Sequence, residues 1–121
     1  VETAFFVAGV CLLLGHQMDA IRLREWRVLP LADRLDDAVA GPGFIAVNAA
    51  VSAAMLWGVF LTVPGGMNRA VAVGLDLFFL AHLAKHLWLL RHPANPFRSA
   101  FSWTLIGGVA ACGVLDLAFG G

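Results

Sequence analysis

Four stretches of this chain, about 3–21, 43–63, 70–90 and 100–119, are long, apolar and almost free of charge. Nothing else in the sequence restricts the fold so strongly. A bilayer span needs roughly 20 mostly apolar residues. Inside a membrane every backbone N–H and C=O must be satisfied within the protein, so such stretches become helices or closed barrels. The stretches read as four membrane helices, so the expected fold is all-α. Only 13% of the 121 residues are charged, against about 25% in a typical soluble domain. The four stretches take up most of the chain. A single transmembrane domain over residues 1–121 is expected, without room for a soluble one.

Boundary signals refine this to helices over about 3–23, 44–63, 69–90 and 99–119. The first block begins Val-Glu-Thr, without a basic leader, and no A-x-A-like site follows it. It reads as a retained span and not as a cleaved signal. After it, Pro30 can open a helix. Leu31, Leu35, Ala38 and Val39 recur at helical spacing, with Asp33, Asp36 and Asp37 around the turn. This predicts a short amphipathic interfacial helix over about 31–39, broken by Gly41-Pro42-Gly43. Ala46, Ala50 and Ala54 form one row on the second helix and Ala49 and Ala53 another; Gly107, Gly108 and Gly113 lie on the fourth. Small residues of this kind let membrane helices approach closely. Cys11 and Cys112 fall inside apolar blocks and outside any Cys-x-x-Cys motif, and are expected as buried, reduced hydrophobes.

Short loops between four helices imply an integral membrane up-down four-helix bundle. Both termini then lie on one side. Arg22, Arg24, Arg27, Arg34, Lys85, Arg91 and Arg98 fall at the other, and only Arg69 is on the terminus side. Basic residues favour the cytoplasmic face, so the 22–42 and 91–98 connections are expected in the cytoplasm and both termini in the periplasm. Trp26, Trp88 and Trp103 near one boundary and Trp57 near the other suit an aromatic belt. No basic patch interleaved with aromatics points to nucleic acid.

That topology gathers the polar residues. His16 and Asp19 share a face of the first helix, and His82 and His86 share a face of the third. All four arrive near the cytoplasmic boundary. Asn48 at the start of the second helix, and Ser99 and Ser102 at the start of the fourth, come to a similar depth. Ionisable groups within a membrane face the bundle interior, pair with one another, and mark function by default. Histidine with carboxylate is a transition-metal ligand set, and His-x-x-x-His offers two imidazoles from adjacent turns. His16, Asp19, His82 and His86 are therefore the candidate metal ligands for zinc or iron, with Asp19 either a fourth ligand or a partner orienting His16. Asn48 and Glu25 are the outer, cofactor-binding members. A continuous helix rotates Glu25 about 120° from Asp19, where pairing with Arg22 or Arg24 at the surface is favoured over folding back. Lys85 is expected to face away from His82 and snorkel to headgroups, Trp26 to anchor at the interface, and His92 to be exposed.

Other readings stand beside this one. His16 and Asp19 can hydrogen-bond to each other and to Arg22 or Lys85, which makes the cluster a packing network. A haem or other tetrapyrrole on histidines of the first and third helices is a further ligand class, although no covalent haem-attachment motif is present. In the outer half, Asp76 is expected to be neutral and hydrogen-bonded to Ser52 or Thr62. A third, thinner reading uses it in a small transporter or proton channel. Asp116 reads as a boundary residue.

A His-x-x-Asp-Ala run leading into Glu-Trp, then His-x-x-x-His, an Arg-His-Pro-x-x-x-Phe loop and a serine-started last helix, resembles a group of small bacterial membrane proteins of unknown function. The residues are His16, Asp19, Ala20, Glu25, Trp26, His82, His86, Arg91, His92, Pro93, Phe97 and Ser102. The His-x-x-Glu-Glu (HXXEE) families look like more distant relatives; here Asp19-Ala20 stands where Glu-Glu would be. The resemblance covers nearly the whole chain and implies four helices in a bacterial inner membrane, with site positions but no activity. The expected function is a small membrane protein with a His/carboxylate cluster for a metal ion or small cofactor. The alternative is a non-catalytic accessory subunit of a larger energy-transducing or pigment-binding complex. Lipid is the expected partner, with other membrane subunits or a homo-oligomer beside it.

Overall fold

A computed structural model describes residues 3–120. Four helices make up the described residues, with no strand among them: α1 (Ala4–Arg22), α2 (Asp37–Phe60), α3 (Arg69–Trp88) and α4 (Ala100–Phe119). Each is long and apolar enough to cross a membrane. Consecutive helices alternate in direction, because the C-terminal ends of α1 and α3 meet the N-terminal ends of α2 and α4.

The helix ends follow local chemistry. Asn68 caps α3 by accepting from the Val71 amide, and Ser99 caps α4 by accepting from the Ser102 amide. α1 stops where Arg24 takes the left-handed conformation, φ 57° and ψ 53°, a position usually given to glycine. That residue turns the chain back under the helices, and a 3-10 turn over Glu25–Val28 follows.

The separate helix expected over 31–39 does not form. A second 3-10 turn, Ala32–Arg34, takes part of that segment, and α2 already begins at Asp37. Gly41-Pro42-Gly43 does not break it; Pro42 lies inside the helix. Pro42 is the sixth residue of the helix and forfeits one backbone bond, the one to the Ala38 carbonyl. What holds the early start is Asp37. It accepts from Trp26 Nε1 at 2.8 Å, from Arg24 at 3.0 Å and from Arg27. The Arg27 guanidinium, hydrogen-bonded to Asp37, is held above its ordinary pKa. The bare Gly41 backbone lies against the Trp26 indole, where an added Cβ would be 3.4 Å from the ring. Trp26 is thus buried as a strut between the connection and α2, not an interfacial anchor.

α1, α3 and α4 form the core, in three clusters stacked along the helices. Phe6, Val59 and Ala72 lie at the end nearest the termini. Leu13, Phe79 and Val109 lie in the middle, and Ala20, Phe97 and Ile106 at the far end. Gly9 lets α1 close on this core: a Cβ there would sit 2.8 Å from Phe79 and 3.1 Å from Cys112 Cβ. Cys112 is half-buried, but Cys11 points outward and both thiols are free. Buried cysteine was the wrong expectation for Cys11, which lies off the α1 face that buries Phe6, Gly9, Leu13 and His16.

α2 stands apart. Only 6% of its span is buried, against 28–33% for the other three. Its buried residues are Ala40, Gly41 and Val59, at its two ends. The alanines at 46, 49, 50, 53 and 54 are all exposed, so these rows do not pack within the chain. The middle of α2 leaves space against α1 and α3.

Candidate metal centre

Three imidazoles meet at the end of the molecule that holds the chain reversals. His16 comes from α1; His82 and His86 come from adjacent turns of α3. The ring of His16 lies 4.7 Å from that of His82 and 4.9 Å from that of His86, and the two α3 rings are 4.6 Å apart, centroid to centroid. One nitrogen from each can be chosen so that all three lie within 4.8 Å of one another. His82 Nε2 and His86 Nε2 are 3.1 Å apart. All three side chains are buried, and His16 is 1% exposed.

Three of the six ring nitrogens are buried and unmet. Both ring nitrogens of His16, and Nδ1 of His82, have no hydrogen-bond partner. A buried polar atom without a partner costs about 1–3 kcal/mol, and a neutral imidazole nitrogen with a free lone pair is a metal ligand. Zinc binds imidazole at about 2.0–2.1 Å. Two nitrogens 3.1 Å apart can both reach such an ion, and the third lies within 4.8 Å of both, so the rings must draw together to share it. The donor set therefore fits a borderline ion such as zinc or ferrous iron.

Asp19 is not one of the converging groups. Its Oδ1 accepts from Arg22, at 2.6 Å from NH2 and 3.2 Å from Nε, and its Oδ2 accepts from Ser102 Oγ at 2.6 Å. Asp19 therefore joins α1 to the first turn of α4, where the N-terminal dipole favours an anion. It does not orient His16, whose nitrogens remain unpartnered. Shared helix face brought Asp19 to the right depth, but its carboxylate found a hydroxyl and a guanidinium first.

Glu25 moves the other way. It does not pair with Arg22 or Arg24 at the surface. It is buried, receives a 2.5 Å bond from Lys85 Nζ, and has Oε1 3.7 Å from His86 Nε2. The expectation assumed a helix continuing past Arg22; the left-handed turn at Arg24 redirects Glu25 beneath α3. Lys85 accordingly faces the site, and only part of its side chain reaches outward.

A cavity of about 230 Å³ lies beside the cluster, in the space left by α2. His16, His82, Glu25, Lys85, Asn48 and Gln17 supply its polar lining; Leu13, Phe44, Val51, Met55 and Phe78 are among its apolar walls. Asn48 donates Nδ2 to the Phe44 carbonyl of its own helix, so its side-chain oxygen is the group left for the cavity. Gln17 accepts from Ser52. On the side away from the cavity Phe97 closes the cluster, its ring 5.2 Å from His16 and 4.8 Å from His86. Phe97 is pinned by the bond from its own amide to Asn95 Oδ1 and the bond from Trp103 Nε1 to its carbonyl. Nothing in the sequence spacing showed where Phe97 would point. His92 stays apart and accepts from the Ala94 amide.

Asp76 meets neither Ser52 nor Thr62. Ser52 donates to Gln17, and Thr62 donates to Gly58 and accepts from Asn68. Asp116 is fully buried and not a boundary group.

No curated protein and no solved structure matches this chain. A family model does, over residues 2–120, and the chain accordingly belongs to a family of unknown function (DUF6713).

Proposed function

We propose that the chain is an integral membrane protein of the up-down four-helix type, whose His16, His82 and His86 hold a transition-metal ion near the cytoplasmic face. One observation carries this reading: three buried imidazoles from two helices converge within 4.8 Å, and three of their nitrogens have no protein partner. Three imidazole ligands with a remaining open position is the pattern of catalytic zinc. Such an ion acts as a Lewis acid and lowers the pKa of bound water. The chain's own groups complete the site: Glu25 and Lys85 are placed to hold or move a proton beside His86, Phe97 excludes water, and Asn48 offers a polar contact to whatever enters the cavity.

The orientation rests on charge. Seven of the eight basic residues belong to the histidine end and only Arg69 to the other, which puts the histidines on the cytoplasmic side and both termini in the periplasm of a bacterial inner membrane.

The test is elemental analysis of detergent-purified protein. One zinc or iron per chain is expected, lost in the His82→Ala, His86→Ala double variant. Protein free of metal, with the same helical content and thermal stability in both forms, would sink the proposal. A second reading, an accessory subunit or homo-oligomer, is favoured by the outward alanine rows of α2, since small rows suit contact with another membrane helix. Partners retained through purification without metal would support that reading.

A further inference from the structure

A second polar site lies at the opposite end of the molecule, next to the Phe6, Val59 and Ala72 cluster. Arg69, Ala72, Asp76 and Phe79 fall on one face of α3 and turn toward α4. α4 answers with Gly113 and, one turn on, Asp116. Gly113 allows the close approach: a Cβ there would lie 3.1 Å from the Asp76 carbonyl and 3.3 Å from Phe79 Cβ. Across this contact Asp76 lies on the α3 face that carries Arg69, the partner of Asp116, and its backbone packs against Gly113, one turn before Asp116. Both side chains are fully buried. Arg69 pairs with Asp116 Oδ2 and donates to the Asp116 carbonyl at 3.0 Å. Neither oxygen of Asp76, nor Oδ1 of Asp116, has a partner.

Two ionised carboxylates and one guanidinium would leave an uncompensated negative charge in the interior. Buried charges persist only when paired and hydrogen-bonded. Adjacent carboxylates resolve this by sharing a proton. A protonated carboxyl is a donor as well as an acceptor, so one proton neutralises the site and joins the unpartnered oxygens of both residues. Among the described residues, the side chains that α1 and α2 pack into this end of the core are apolar: Phe6 and Val10 from α1 and Val59 from α2. On α4 itself Cys112 lies one turn away. Arg69 supplies the positive charge that a metal cation would otherwise bring. Its side chain, 32% exposed, is the link to the outside.

We infer that Asp76 and Asp116 form a proton-binding acid–carboxylate pair with Arg69 as counter-ion, distinct from the histidine cluster. The pair binds one proton between the two carboxyl groups and, on release, leaves two facing negative charges at the α3–α4 contact. It is a titrating group wholly on the side of the chain termini.

Infrared spectroscopy of the purified full chain tests this directly. A C=O stretch of a protonated carboxylic acid is expected at neutral pH, absent in Asp76→Asn. In Asp116→Asn the band should titrate at lower pH than in the unaltered protein, because the neighbouring negative charge is gone. The unaltered protein alone can refute the inference: no such band at neutral pH means that Asp76 is ionised. A band that survives Asp76→Asn, an unmoved midpoint in Asp116→Asn, or a band abolished by added sodium each overturns it as well.

Discussion

Replacing Ser102 by alanine separates a structural role for Asp19 from a metal-binding one. Ser102 Oγ is fully buried and lies 2.6 Å from Asp19 Oδ2. The other oxygen of Asp19 is held by Arg22, whose side chain is 63% exposed, so that ion pair is screened and contributes less than about 1 kcal/mol. Ser102→Ala leaves a buried carboxylate short of one bond. A hydrogen bond to a charged group is worth about 1.5–3 kcal/mol, whereas neutral bonds between membrane helices average about 0.6 kcal/mol. The charged value applies, because Asp19 lies within a turn of the exposed Arg22 and is hydrated when the helices separate. The unfolding equilibrium should shift roughly 10- to 150-fold. Reversible unfolding in mixed detergent micelles measures it, as a double-mutant cycle with Asp19→Asn. Coupling of about 1.5 kcal/mol or more is expected, with bound metal unchanged in both single variants. Coupling below about 0.6 kcal/mol would refute the strut. Metal lost on Asp19→Asn would return Asp19 to the ligand set and refute the three-histidine site.

Two other tests address packing and topology. Gly9→Ala should destabilise by about 1–3 kcal/mol, the range for overpacking a filled core, because the new Cβ meets the immobile Phe79 ring at 2.8 Å. Gly74→Ala, with nothing within 4 Å, should be neutral or stabilising by up to about 1 kcal/mol; equal effects at both sites would contradict the packing of α1 on α3. A reporter fused to the C-terminus should read as periplasmic, and a cytoplasmic signal would invert the placement of the histidine end.

Apolar block length settled the number of long helices, but not where α2 begins: Asp37 and its partners start it ahead of the boundary expected at about 44. Depth was legible too. Counting 1.5 Å per residue along helices of known direction places His16, His82 and His86 at one level, and His82–His86 spacing puts two rings on one face. Rotation was legible only where polar residues mark an inward face, as His16, Asp19, His82 and His86 do on α1 and α3. Apolar and small residues carry no such mark, so the sequence suggested burial for Cys11 and close packing for α2 alanines that the structure leaves exposed. Tertiary structure decided the partners. Arg24 adopts a left-handed turn that no glycine announces, and this alone carries Glu25 from the surface to Lys85 and the edge of the imidazole cluster. Ser102, 83 residues away in the chain, donates to Asp19 Oδ2. Phe97 and the stand-off of α2 complete the site, one by closing it and the other by leaving a cavity beside it. Composition and spacing carry residue type and depth; which groups actually touch depends on helix rotation and on single backbone turns, which only the folded chain defines.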